Sequence, residues 1–141
     1  MIEEISLNRF RDLFKEYNRE NQFSFEGLEV LYNYLEDLED FKVDIIGLCC
    51  DFCEYNNIED FFKDYYESLE DRKNEFIEDN DLKNEFKEEI EEYKEKKDFD
   101  EWFKFYYEED FFKEIEEEIE NKTLLLKIGN DLNGGFIIQK C

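Results

Sequence analysis

The amino-acid sequence predicts an α+β fold: a small antiparallel sheet of about three strands covered by several acidic helices. Three observations predict it. Most of the chain is helix-forming, with apolar residues recurring every three or four positions. Only three short runs, 43–50, 123–128 and 136–140, have strand character. The 16 Phe, 9 Tyr and single Trp, 18% of 141 residues, supply a core that disordered acidic segments lack. That length suits a single domain, 1–141.

The elements follow in order. Ser6 precedes an amphipathic run in which Leu7, Phe10, Phe14 and Tyr17 share a face, so it caps a first helix. Ser24 opens a second, with Leu28, Leu31, Leu35 and Leu38 inward and Gly27 in its first turn. FKVDIIGLCC, residues 41–50, changes character and reads as a buried strand over 43–50. Asn57 caps a third helix, expected to run through IEDFFKDYYESLED. From Arg72 to Asn121 the chain is charged, aromatic and helical, with one stripe at Leu82, Phe86, Ile90 and Tyr93 and another at Phe105, Phe112, Ile115 and Ile119. Breaks are expected near Lys97–Asp100 and Glu109–Asp110. TLLLKIG and GFIIQKC then form a hairpin with a turn signal at Asn133-Gly134, pairing with 43–50.

Charge narrows the function classes. The chain has 42 acidic residues, 18 Lys plus Arg and no His, a net charge of -24. A basic face for nucleic acid is excluded by that field, and docking on anionic lipid is disfavoured. Without His, the usual general base near neutral pH and the commonest zinc nitrogen ligand are missing. The charge is uneven. Residues 51–120 hold 29 acids against 10 bases, a net of -19, whereas residues 121–141 are at +2. Glu3 and Glu4 leave no room for the basic start and apolar run of a secretory signal. No segment approaches ~18 consecutive apolar residues. A cytoplasmic protein with reduced thiols is therefore expected.

Candidate chemistry is thin. Cys50-x-x-Cys53 has the spacing of half a zinc site, with Cys49 and Cys141 able to complete four thiolates. A second CxxC is missing, and adjacent Cys49 and Cys50 would point to opposite faces of a strand. Small buried apolar cysteines explain the group better. Acidic stretches such as Asp79-Asn80-Asp81 lack the glycine and register of a calcium loop. Gly129–Gly135 lacks the Lys and Ser/Thr of a phosphate loop, and acids are too many for one carboxylate pair to stand out. No enzyme, metal or cofactor is expected.

Two features point to interaction instead. Adjacent aromatic pairs (Phe61-Phe62, Tyr65-Tyr66, Trp102-Phe103, Phe105-Tyr106-Tyr107, Phe111-Phe112) cannot all be buried by one helix each, so some are left for a partner. The acidity also exceeds the roughly 2–8 net charges that solubility needs. Duplex DNA carries one charge per ~1.7 Å, so the charge of -24 matches about 40 Å of duplex, close to the diameter of a compact domain this size.

Val43-Asp44-Ile45-Ile46-Gly47-Leu48-Cys49-Cys50-Asp51-Phe52 followed by Glu54-Tyr55, with the closing Gly135-Phe136-Ile137-Ile138-Gln139 and the early helix Glu29–Leu38, resembles short acidic proteins of bacteriophages and prophages. The resemblance covers roughly 24–71 and 120–141; the segment at about 72–119 departs from it, which implies an acidic helical lobe inserted into the shorter frame. In overall character the chain is similar to phage inhibitors of CRISPR and restriction systems that act as DNA mimics. These likenesses imply a phage context and a basic nucleic-acid-binding partner, a CRISPR effector or restriction enzyme. The residues expected to meet its groove are Glu88, Glu89, Glu91, Glu92, Glu95, Asp98, Asp100, Glu101, Glu108, Glu109 and Asp110, which flank the apolar stripes. The alternative is an interaction module, such as an antitoxin or phage adaptor, that binds mainly through exposed aromatics.

Overall fold

A computed structural model of the chain describes residues 5–38, 42–65, 68–93 and 98–140, apart from the side chains of Glu92 and Tyr93. The architecture is α+β, with eight helices and one three-stranded antiparallel sheet among the described residues. The helices are α1 (Leu7–Glu16), α2 (Phe25–Glu36), α3 (Ile45–Asp51), α4 (Ile58–Asp64), α5 (Leu69–Asp79), α6 (Leu82–Tyr93), α7 (Phe99–Tyr106) and α8 (Glu108–Lys122). The strands are β1 (Phe52–Tyr55), β2 (Leu125–Lys127) and β3 (Phe136–Gln139), in the order β1-β3-β2.

The caps explain where helices begin. The side chains of Ser6, Ser24 and Asn57 accept from the backbone N–H of Arg9, Gly27 and Asp60 at 2.9–3.1 Å, as their positions in the sequence imply. Ser68 does the same for Asp71. The third helix expected after Asn57 is therefore two: α4 ends at Asp64 and α5 starts at Leu69. A further turn separates α5 from α6, with Asp81 at a φ of 51°. The expected break at Lys97–Asp100 falls partly outside the described residues, and Asp98 caps α7. The break expected at Glu109–Asp110 lies at Tyr107.

The segment 43–50 is not a strand. Asp44 Oδ1 accepts from Gly47 N–H at 3.1 Å and starts α3, whose buried residues, Ile45 and Leu48, are three apart on one face. A short apolar run carries too little periodicity to separate helix from strand, and the cap decides. The first strand is the next four residues, FCEY, with Phe52 opposite Gln139 and Tyr55 opposite Phe136. On the other side of β3, Leu125 faces Ile138 and Lys127 faces Phe136. The connection between β2 and β3 is wider than a two-residue turn. It contains a short turn at Leu132–Gly134, capped by Asp131, followed by Gly135 at a φ of 93°, a left-handed conformation that favours glycine.

The sheet separates two cores. Phe52 and Ile137 point to one side, where Phe10, Phe14, Phe23, Leu31 and Leu35 of the first 38 residues gather. Tyr55, Phe136 and Ile138 point to the other, against Ile58, Phe62, Phe76, Phe103, Phe111, Ile115 and Ile119. The result is three layers: α1–α3, the sheet, and α4–α8. The segment 72–119 is part of the last layer and shares its core with the sheet. No charged residue is fully buried among the described residues, so their charge is carried at the surface. Among them no helix is long and apolar enough to cross a membrane.

Candidate functional site

The acidic layer is built so that its aromatics hold its helices together and its carboxylates remain outside. Phe86 of α6 packs on Phe99 and Trp102 of α7, with ring centroids 5.3 Å apart in each case. Trp102 Nε1 donates to Glu89 Oε2 at 2.6 Å, and the Tyr107 hydroxyl donates to Glu85. That second bond, helped by burial and by nearby acids, pushes the Tyr107 phenol up to about 12. α7 then turns into α8 at Tyr107, and Phe111, Phe112, Ile115 and Ile119 anchor α8 to the core.

Of the residues expected to meet a partner, Glu88, Glu91, Asp98, Asp100, Glu101, Glu109 and Asp110 are exposed. They lie on α6, α7, the first turn of α8 and the cap before α7. Glu89 and Glu108 are half-buried, and Glu89 is occupied by the Trp102 indole. Asp98 is also the cap of α7, accepting from Asp100 N–H at 3.3 Å. The side chain of Glu92 and all of Glu95 lie outside the described residues, as do Tyr66 and Cys141.

A second acidic row runs from Asp110 to two residues outside the expected set, Glu114 and Glu117. Asp110, Glu114 and Glu117 are exposed on α8 at spacings of four and three. Residues so placed are neighbours, with Cβ atoms about 5–6 Å apart. α5 runs beside α8, and Glu75 and Asp79 line one groove of about 330 Å³ together with Glu114, Glu118 and Arg72. Four carboxylates from two helices therefore flank a single cation. The Arg72 guanidinium hydrogen-bonds Glu118 and holds its carboxyl below the usual range. In the sequence the signal lies in the acidic runs of α8 and, on α5, in Glu75 and Asp79. Only the pairing of the two helices, a tertiary fact, joins them.

The aromatic doublets divide between core and surface as pairs rather than within each pair. Trp102, Phe103, Phe111 and Phe112 are buried. Phe105 is 79% exposed and Tyr106 45%, their rings 4.7 Å apart at the end of α7. These two stand between Asp100-Glu101 and Glu108–Asp110 in the chain.

The cysteines are separated by the sheet. Cys49, on α3, packs on the first core, and burial pushes its thiol up. Cys53, on β1, packs on the second, and Cys50 is exposed. A helix, rather than the alternation of a strand, sets Cys49 and Cys50 apart. Among the described residues, no group of three or more Cys, Asp and Glu is placed to hold a metal ion.

No protein-family model, curated protein or solved structure matches the chain.

Proposed function

We infer that the protein is a nucleic-acid mimic: a non-enzymatic inhibitor whose acidic helical layer occupies the basic groove of a nucleic-acid-binding protein. The target class is a bacterial defence nuclease, a CRISPR effector or restriction enzyme, and the setting is a phage-infected cytoplasm. The observation that carries the reading is the placement of charge. Residues 51–120 hold a net of -19, and the helices that bear it form one layer of the fold. Their apolar faces are spent on the core, and their carboxylates stand in rows on α6, α7, α8 and α5. Self-repulsion of that size works against folding, so it calls for a purpose outside stability.

One observation supports the second reading, an interaction module led by aromatics. Phe105 leaves 79% of its surface in water, which does nothing for the fold. In the mimicry reading the same ring takes the stacking role of a base.

The deciding experiment immobilises the chain and passes host lysate over it at low and moderate salt, with and without duplex DNA. Nucleic-acid-binding proteins that are retained at low salt and displaced by duplex support mimicry. Retention that ignores both salt and DNA hands the function to the aromatics.

A further inference from the structure

The cavity bounded by α4, α8 and the end of β3 differs in character from the rest of the surface. Its volume is about 540 Å³, within the ~300–1,000 Å³ range of small-molecule sites. Phe61 and Phe62 of α4, Ile115 and Ile119 of α8 and Ile138 of β3 form an apolar lining. The charged lining is Arg72, Lys122 and Lys140 against Asp64 and Glu118. Both carboxylates are engaged. The Tyr55 hydroxyl donates to Asp64 at 2.5 Å. Glu118 accepts from Arg72 and lies 3.7 Å from Lys122.

Cations thus outnumber anions three to two in this lining, in a chain whose net charge is -24. Four other described cavities have neutral or acidic linings. An anion approaching this molecule is repelled at long range. A site that admits one must supply local cations beside low-dielectric walls, and this cavity does both.

We propose that the cavity binds a small amphipathic monoanion. Its aromatic or branched hydrocarbon body lies on the Phe and Ile lining, and its carboxylate or sulfonate head sits at the Lys122 and Lys140 rim. The site makes no use of the outward carboxylates and does not depend on the mimicry reading.

The test uses the full chain and two dyes of the same shape: anilinonaphthalene sulfonate and its uncharged homologue, phenylnaphthylamine. Isoleucine methyl NMR locates each. The proposal expects one saturable sulfonate site that shifts the methyls of Ile115, Ile119 and Ile138. It expects Lys122→Glu combined with Lys140→Glu to weaken the sulfonate at least about tenfold while changing the neutral dye less than about threefold. Methyl shifts that spare these three residues overturn it, as does an absence of saturable binding or a smaller loss on charge reversal. If the double variant loses the methyl dispersion of the parent, Lys140→Glu alone, exposed and outside the Arg72–Glu118 pair, is held to the same threshold.

Discussion

Glu54 on β1 reaches the first turn of α2 through space that exists because residue 27 is glycine. Its Oε1 accepts from both the backbone N–H and the hydroxyl of Ser24, each at 3.0 Å, and a Cβ on Gly27 would lie 1.7 Å from that oxygen. The carboxylate thereby serves the N-terminus of a 12-residue helix, where free N–H groups and the helix dipole favour a negative charge. Gly27→Ala should therefore destabilise the fold by about 1–2 kcal/mol, although alanine is the better helix former by ~1 kcal/mol. The added methyl displaces the carboxylate from both bonds. In a Glu54→Ala background the same Gly27→Ala change should cost clearly less, the added Cβ then meeting only the Ser24 hydroxyl at 2.9 Å. Denaturant midpoints of the four proteins measure this, and a Gly27→Ala penalty as large without Glu54 as with it would disprove the relationship.

This contact also marks the limit of what could be read in advance. A glycine in a first turn looks harmless until a residue 27 positions later is placed against it. Local signals were legible: Ser6, Ser24 and Asn57 each cap the helix they precede, and the terminal hairpin pairs as its pattern suggests. Two local signals compete over residues 43–50. Ile45 and Ile46 favour a strand, but Asp44 caps a helix, and the strand moves to FCEY, whose single Glu hid its alternation between two cores. The acidic surface was legible as charge. Its arrangement was not, because the indole that takes Glu89 inward and the packing of α5 on α8 are both tertiary.

The Arg72–Glu118 pair makes part of the stability sensitive to acid. The hydrogen bond from Arg72 holds the Glu118 carboxyl below its ordinary value. A carboxyl depressed in the folded state contributes stability that is fully present above the unfolded value of ~4.3. That contribution is lost as pH falls through the folded value. Glu118→Gln should lower stability at neutral pH and bring the two proteins together in strong acid. The side chain is 37% exposed, so solvent screening keeps the difference below about 1 kcal/mol. Thermal midpoints across the acid range decide it, and curves that stay parallel would remove the pair from the account.

Phe103 and Phe105 stand two residues apart on α7 and should behave oppositely. Phe103 is 1% exposed and packs on Phe76 and Phe111, so Phe103→Ala should cost about 3–5 kcal/mol. Phe105 is 79% exposed, and Phe105→Ala should change stability by less than about 0.5 kcal/mol. Its effect belongs to binding: partner affinity should fall while its salt dependence stays the same. A Phe105→Ala protein with unchanged stability and unchanged affinity would leave this ring without a role.

Reversing charge on the acidic layer should separate fold from function. Glu88, Glu91, Glu101 and Glu109 are all exposed, on α6, α7 and α8. No single one should be decisive, because an exposed ion pair is worth only about 0–1 kcal/mol. Each reversal to Lys changes the charge by two, so all four together take it from -24 to -16. The fourfold variant should fold as well as the parent or better, since repulsion is removed, and should lose about a hundredfold or more in partner binding. Four reversals among residues 1–20, which leave the acidic layer untouched, should cost less. Salt offers an independent check because the two effects have opposite signs. Screening relieves self-repulsion, so the thermal midpoint of the free protein should rise with added salt. Screening also weakens attraction to a basic groove, so affinity should fall over the same range. Affinity that holds steady while the midpoint rises would show that the carboxylates repel one another without gripping a partner, and the role of Phe105 would become the leading explanation.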